Sequence, residues 1–239
     1  MNDLADTVRK AYNDYEFHIV YHGINNFCTI NLSKLYIDIT KDRVYVEKKD
    51  SKARRSAQTA MYFVLSALTR LVSPLIVFTA EEIWQAMPHI DTDVKESIFL
   101  NDMPAYDENL KFADVCDKWN KLFENRDVVM KALELARAEK LIGKSLDAKV
   151  TVYTEDSEIF ELLSAFADEL ATVYIVSKAN IVNGVAPEGA YAEEGSAVAV
   201  KVEPADGKKC VRCWAYSENG VETEDGGFLC ERCRAIVEG

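Results

Sequence analysis

Two cysteine pairs near the end of the chain decide how this sequence is interpreted: Cys210-Val211-Arg212-Cys213, followed by Trp214, and Cys230-Glu231-Arg232-Cys233. The spacing between the two pairs lies within the usual range for four-cysteine zinc sites. Zinc binds thiolates at the corners of a tetrahedron, and a Cys-x-x-Cys turn can direct two sulfurs at one ion. The pattern therefore predicts one structural Zn²⁺ per chain, bound by Cys210, Cys213, Cys230 and Cys233.

Two disulfides are the alternative, but the rest of the chain has the character of a cytosolic protein without disulfides. Four thiolates leave no open coordination position, so the predicted metal has a structural role. Residues 206–239 are too few to bury a core without the binding energy of a metal. Trp214 follows the first pair directly, and we expect it either to cover the zinc ribbon or to stack on a nucleic-acid base.

Composition indicates an ordinary water-soluble chain. Of its 239 residues, 49% are hydrophobic and 28% are charged. No apolar run reaches the roughly eighteen residues of a membrane helix. The first residues lack the basic and apolar regions of a signal peptide. We therefore expect a cytoplasmic protein with no membrane partner.

Charge is distributed unevenly along the chain. The formal net charge is −12, which argues against simple electrostatic capture of nucleic acid. Residues 34–55 nevertheless hold eight basic and four acidic side chains, whereas residues 146–205 hold three basic and eleven acidic ones. A polyanion should therefore meet the first half of the chain, although residues 34–55 could also be a solvated connector.

The first 145 residues have the periodicity of amphipathic helices. Apolar residues recur at three- and four-residue steps in residues 3–27, 51–72 and 113–142, which predicts three long helices. Thr79 and Glu82 have the spacing of a capping box and predict the start of a shorter helix. These segments together indicate a helical bundle.

The pattern changes near residue 148. Residues 148–153 alternate as a strand, residues 156–171 have helical periodicity, and residues 173–176 and 197–202 are predicted as two further strands. The predicted fold class is mainly α: a helical bundle (residues 1–145), a small α/β unit (146–205) and a zinc ribbon (206–239). No phosphate-binding glycine loop or nucleophile motif is present, so we predict no catalytic residue.

Several stretches resemble a known family. Tyr15-Glu16-Phe17-His18, Lys41-Asp42-Arg43-Val44-Tyr45, residues 54–60 and residues 74–84 are similar to the anticodon-binding helical domain of class I aminoacyl-tRNA synthetases. The two cysteine pairs resemble the C-terminal zinc module of bacterial isoleucyl-tRNA synthetases. The family's nucleotide-binding catalytic domain and its editing domain have no counterpart in these residues.

The resemblance implies the C-terminal region of an enzyme that ligates isoleucine to its tRNA with ATP. ATP would be a cofactor only of the full-length enzyme, and we expect the isolated chain to be inactive. The implied partner is isoleucine tRNA, with no DNA partner, and we expect a monomer. The helical bundle would hold the anticodon stem-loop while chemistry takes place in a distant domain.

Anticodon recognition requires cations for phosphates and aromatic or polar side chains for unpaired bases. The candidate tRNA-binding residues are Lys34, Tyr36, Lys41, Arg43, Arg54, Arg55, Arg126 and Lys144, with Arg212, Trp214 and Arg232 from the ribbon. Arg54 and Arg126 could instead be intramolecular ion-pair partners, and Tyr36 could belong to the core.

Two other interpretations fit the cysteine pairs. Formamidopyrimidine-type DNA glycosylases end in a similar four-cysteine finger, but Asn2 and the predicted bundle do not match their N-terminal region. A zinc-stabilised protein-interaction adaptor is the second, and only the acidity of the chain favours it.

Overall fold

The structure is a computed structural model that describes residues 1–238, and contacts divide it into two compact units. The first unit comprises residues 1–112, and the second begins at Ala113. Helices account for more than half of the residues and the sheets are small, in agreement with the predicted combination of helices, a small sheet and a cysteine cluster.

Five α-helices and one π-helical segment form the first unit. They are α1 (Asn2–Asn13), α2 (Phe17–Asn26), a π-helix (Phe27–Ile37), α3 (Asp38–Tyr45), α4 (Lys52–Val72) and α5 (Val77–Ala86). The connector after α5 contains two short 3-10 turns at Ile98–Leu100 and Glu108–Leu110.

The single helix predicted over residues 3–27 is wrong, because the chain breaks at Tyr15. Tyr15 has a φ of 59°, and the N–H of Glu16 donates to the carbonyl oxygen of Ala11 at 2.8 Å, which closes α1. Asn and Asp side chains just before the break favour turns over continued helix. The break allows α2 to fold back, so that Val20 packs with Val8 and Leu71 in one buried cluster.

A second buried cluster lies around Trp84 on α5. Ile98 packs against this indole, and Tyr62 from α4 borders the cluster. The predicted capping box does not form, because α5 begins at Val77 without a side-chain cap. Glu81, which was not part of the predicted box, accepts the N–H of Ile98 with its carboxylate at 3.0 Å and so joins the connector to α5.

The second unit contains the longest helix, a four-stranded sheet and two small β-ribbons. Its elements are α6 (Ala113–Ala138), β1 (Ala148–Thr154), α7 (Ser157–Ala165), α8 (Ala167–Tyr174), β2 (Lys178–Asn183), β3 (Tyr191–Ala192), β4 (Ala199–Pro204), β5 (Lys208–Lys209), β6 (Tyr216–Ser217), β7 (Gly220–Glu222), β8 (Phe228–Cys230) and α9 (Glu231–Glu238).

The four-stranded sheet has the order β2-β1-β4-β3. Strand β1 pairs parallel with β2 and antiparallel with β4, and Val150 lies opposite Val202. Helices α6, α7 and α8 pack against it. The strand predicted over residues 173–176 is wrong: Tyr174 ends α8, Ile175 adopts a left-handed conformation with a φ of 58°, and the strand begins at Lys178.

The ribbon region begins at Gly207, which has a φ of +90°. A Cβ atom at this position would lie 2.2 Å from the carbonyl oxygen of Ser217, so only glycine fits. Strand β5 then pairs with β6, and β7 pairs with β8, with Val221 opposite Leu229. This arrangement brings the two cysteine pairs together.

The boundary between the compact units differs from the predicted domain boundary. Helix α6 belongs to the second unit, whereas the sequence placed it within a domain of residues 1–145. The division into domains 1–145, 146–205 and 206–239 stays a prediction. Within residues 1–238, no helix combines the length and apolar character that crossing a bilayer requires.

Candidate metal centre and nucleic-acid interface

The four predicted zinc ligands converge at one point of the second unit. The Sγ atoms of Cys210, Cys213, Cys230 and Cys233 all lie within 4.8 Å of one another, and all four residues are buried. The structure has none of the four in a disulfide, and the Sγ atoms of Cys213 and Cys230 are 3.8 Å apart.

The local backbone explains this convergence. The N–H of Trp214 donates to the carbonyl oxygen of Cys210 at 2.9 Å, and the N–H of Cys210 donates to Ala215. This tight turn points both sulfurs of the first pair to the same side. In the second pair, Cys230 ends β8 and Cys233 lies in the first turn of α9, so a strand-to-helix transition positions its sulfurs.

The thiols have unequal acidities. Burial raises the pKa of Cys210, but backbone N–H groups, including those of Cys213 and Cys230, outweigh it and lower the pKa to about 6. Burial raises the pKa of Cys213, Cys230 and Cys233. Negative charge on neighbouring sulfurs adds to the rise at Cys213 and Cys230, so a cation among the sulfurs would favour their joint deprotonation.

The cluster has dimensions that suit zinc. Tetrahedral coordination with Zn–S bonds of about 2.3 Å gives S···S edges of about 3.8 Å. The separation of 3.8 Å between Cys213 and Cys230 matches such an edge. Four buried sulfurs with no carboxylate among them are the donor set that structural zinc sites use.

The ribbon is attached to the four-stranded sheet by polar contacts. Lys209 Nζ lies 3.0 Å from a carboxylate oxygen of Asp147, and the N–H of Tyr216 donates to Ser177 Oγ at 2.7 Å. Lys149 and Asp206 form a further ion pair at 3.0 Å. The cysteine cluster is therefore braced against the sheet of the same unit.

The predicted tRNA-binding residues of the first unit fall into two groups. Lys34, Lys41 and Arg55 are exposed, although Lys41 also pairs with Asp38 at 2.7 Å. The other three are half-buried. Tyr36 donates its hydroxyl to the carbonyl oxygen of Ala57 at 3.3 Å, Arg54 Nη1 donates to that of Glu47 at 3.1 Å, and Arg43 lies on α3.

The start of α4 concentrates positive charge. Ser51 caps the helix by accepting the N–H of Arg54, and the first turn contains no acidic residue. Lys52 and Arg55 are both exposed there. Lys52 was not among the predicted candidates. Ser51, a residue type that favours helix N-caps, directly precedes it and could have placed Lys52 at the start of the helix.

Arg126 does not lie at a surface. It is 8% exposed, and its Nε donates to the carbonyl oxygen of Val173 at 2.8 Å, which joins α6 to α8. A phosphate could reach this guanidinium only after the unit opened. The prediction of Arg126 as a tRNA contact is therefore replaced by a role in packing.

The remaining candidates lie near the ribbon. Trp214 is 60% exposed and has a φ of 67°, so it does not act as a buried lid. The ammonium group of Lys144 lies 5.9 Å from the centre of the indole ring, within cation–π range. Arg232 is exposed on the first turn of α9, and Arg212 Nη1 approaches Cys233 Sγ at 3.6 Å.

Two family models match the chain. The anticodon-binding domain of tRNA ligase matches residues 1–152, and a zinc finger found in FPG and IleRS matches residues 207–236. The first match includes the basic start of α4, all of α6 and most of β1. The second match contains all four clustered cysteines.

Curated relatives match the chain along nearly its whole length. An isoleucine–tRNA ligase of Syntrophotalea carbinolica is 45% identical over 99% of the chain and 25% of the relative. Those of Caldanaerobacter subterraneus and Caldicellulosiruptor saccharolyticus are 41% and 43% identical over 100% and 98% of the chain, and 26% and 24% of the relatives. The chain thus spans about a quarter of the length of these relatives. It belongs to the family of anticodon-binding domains of tRNA ligases.

Proposed function

We propose that the chain binds the anticodon stem-loop of isoleucine tRNA as the C-terminal region of an isoleucine–tRNA ligase. The observation that carries this proposal is the family match over residues 1–152, which includes the cationic start of α4. Within the longer enzyme, this binding would hold the tRNA so that its acceptor end reaches a catalytic domain elsewhere.

The start of α4 is suited to phosphate. Backbone N–H groups and the helix dipole make the N-terminus of a helix positive, and cations placed there weaken the helix by about 0.3–1 kcal/mol each. Lys52, Arg54 and Arg55 occupy this turn without an acidic neighbour in it. A bound polyanion would offset the repulsion between these cations and the positive end of the helix dipole. The unfavourable placement of the cations is therefore consistent with phosphate binding at this turn.

A second contact is proposed at the ribbon. The exposed indole of Trp214 offers a flat surface on which an unpaired base can stack, and Lys144 places a cation beside it. Arg232 lies exposed on the neighbouring helix α9. Lys34, Lys41, Arg43 and Tyr36 remain candidates in the first unit, although the hydroxyl proton of Tyr36 is already donated to the carbonyl oxygen of Ala57.

We propose one structural Zn²⁺ held by Cys210, Cys213, Cys230 and Cys233. When bound, the ion would supply the cross-link that joins the two small ribbons and α9. The residues that surround it fix the shape of the surface that carries Trp214. ATP and isoleucine would be bound by the longer enzyme, and we propose a cytoplasmic monomer.

The experiment compares the binding of isoleucine tRNA, an unrelated tRNA and duplex DNA of similar length to the purified chain. We expect the isoleucine tRNA to bind most tightly. Equal binding of duplex DNA would favour the DNA-glycosylase type of zinc finger. Absence of binding to all three would favour a protein-interaction adaptor and contradict the proposal.

A further inference from the structure

One side chain connects the two cysteine pairs directly. Arg212 lies inside the first pair, and its Nη1 is 3.6 Å from Sγ of Cys233 in the second pair. This is hydrogen-bond distance for a sulfur acceptor. Arg212 is half-buried, so solvent screens this contact only in part.

The charge around the cluster explains what this contact can do. Four thiolates around one dication leave two excess negative charges, and residues 206–239 themselves hold five basic and seven acidic groups. A buried anionic centre is costly unless hydrogen bonds and counter-charges satisfy it. A guanidinium stays protonated and donates charge-assisted hydrogen bonds, which are about twice as strong as neutral ones.

We infer that Arg212 is a positioning residue of the metal centre, which holds Cys233 in place, offsets part of the excess negative charge and slows the loss of zinc. The inference rests on the proposed zinc site. It also assigns Arg212 a role different from the predicted contact with tRNA, because its guanidinium faces a sulfur. Partners around a metal commonly contribute 10–100-fold in metal affinity, which sets the expected size of the effect.

The test compares Arg212→Lys, Arg212→Gln and Lys208→Gln in the full chain. Lysine keeps the charge but loses the planar fork, whereas glutamine keeps a donor and loses the charge. Lys208→Gln is the matched control, because it removes one positive charge from the same ribbon at a residue that pairs with Glu222 and not with a sulfur.

The first measurement is the rate at which zinc transfers to an excess of a chelating dye. We expect Arg212→Gln to release zinc roughly 10–100-fold faster than the unmodified chain. Arg212→Lys should fall between the two, and Lys208→Gln should release zinc at the unmodified rate. Equal rates for Arg212→Gln and the unmodified chain would overturn the inference, and so would equal acceleration by Lys208→Gln.

The second measurement replaces zinc with cobalt and records the sulfur-to-metal absorption band. Loss of a hydrogen bond to one thiolate should shift this band in Arg212→Gln and leave it unchanged in Lys208→Gln. An unshifted band would contradict the inference. If Arg212→Gln fails to fold, Arg212→Lys decides, since it too must release zinc faster. An unmodified chain that binds no zinc would instead refute the metal site itself.

Discussion

Two adjacent arginines at the start of α4 have different surroundings. Arg54 donates to the backbone of the segment before the helix, through the carbonyl oxygen of Glu47. Arg55 is exposed one position later. From the sequence alone the two arginines are equivalent cations, because the charge pattern does not show which guanidinium donates a hydrogen bond to a backbone carbonyl oxygen. We therefore propose Arg55 as a phosphate contact and Arg54 as a support of the helix start.

Arg55→Glu should change stability and tRNA affinity in opposite directions. An acidic side chain in the first turn interacts favourably with the helix dipole, so we expect the free energy of unfolding to rise by about 0.3–1 kcal/mol. Loss of one phosphate contact should weaken tRNA binding and reduce the salt slope by about 0.7–0.9. Urea unfolding and tRNA titrations at several salt concentrations measure both.

Arg54→Gln is the matched control for this prediction. It neutralises one positive charge in the same turn without adding a negative one, and it also removes the hydrogen bond to Glu47, so it should lower stability by about 1 kcal/mol. If Arg55→Glu leaves both the affinity and the salt slope unchanged, the start of α4 does not contact phosphate.

Asp93 gives the first unit a pH-dependent contact. Its carboxylate is 7% exposed and accepts the hydroxyl of Tyr62 at 2.6 Å and the N–H of Ile90 at 3.1 Å. Burial alone would raise the pKa of Asp93, but these hydrogen bonds and His89, whose Nδ1 lies 3.5 Å away, together lower it below its usual value. The ionised form is therefore the one that stabilises the connector.

Asp93→Asn should destabilise the first unit by about 1–3 kcal/mol near neutral pH, because the charged acceptor is lost. A lowered pKa contributes stability above the unfolded-state value of about 3.9, and this contribution disappears as pH falls through the folded-state pKa. The difference in unfolding free energy between the two proteins should therefore hold between pH 7 and about pH 5 and shrink as the pH falls below about 4. A constant difference would show that Asp93 acts without its charge.

At the scale of elements, periodicity predicted the existence of the helices better than their ends. Residues 51–72 and 113–142 correspond closely to α4 and α6, because their apolar positions repeat over several turns. The break at Tyr15 was missed because a short turn barely disturbs the apolar pattern on either side. The π-helix at Phe27–Ile37 was missed because its five-residue hydrogen-bond step has no distinct sequence pattern.

The cysteine cluster was the element most directly predictable, since two pairs at fixed spacing leave few arrangements. The exposure of Trp214 was not predictable, because it depends on the left-handed conformation that follows the first pair. The burial of Arg126 was not predictable either. It follows from the packing of α6 on α8, which brings together residues distant in sequence.

Zinc content tests the ribbon as an element. We expect close to one equivalent of zinc in freshly purified protein, and a large loss in Cys230→Ser because a thiolate ligand is removed. Cys116→Ser, a change at an exposed cysteine outside the cluster, should retain zinc. Elemental analysis measures this directly, and less than half an equivalent in the unmodified chain would count against the site.

For the molecule as a whole, the family was predicted from stretches of sequence that resemble class I aminoacyl-tRNA synthetases. The match of the anticodon-binding domain over residues 1–152 confirms that prediction. Net charge alone would not have predicted a tRNA-binding family, since the net charge of the chain is −12. The domain boundaries remain a prediction, because α6 groups with the sheet in the structure and with the first helices in the family model.

Removal of residues 206–239 tests how the ribbon contributes to the whole. Residues 206–239 have a negative net charge even without the excess negative charge of a four-thiolate zinc centre, so they cannot attract tRNA by bulk charge. We expect the truncated chain to bind isoleucine tRNA more weakly with almost the same salt slope, as the loss of a stacking contact through Trp214 requires. An unchanged affinity would leave the ribbon a purely structural role.

We propose above that the chain recognises the anticodon stem-loop of isoleucine tRNA. The most direct measurement is the affinity of the purified chain for isoleucine tRNA and for the same tRNA with its anticodon stem-loop exchanged for that of another tRNA. Removal of base-specific contacts should weaken binding at least about tenfold, since each well-placed base contact contributes roughly 1–3 kcal/mol. Equal affinity for the two tRNAs would show that the chain does not recognise the anticodon stem-loop.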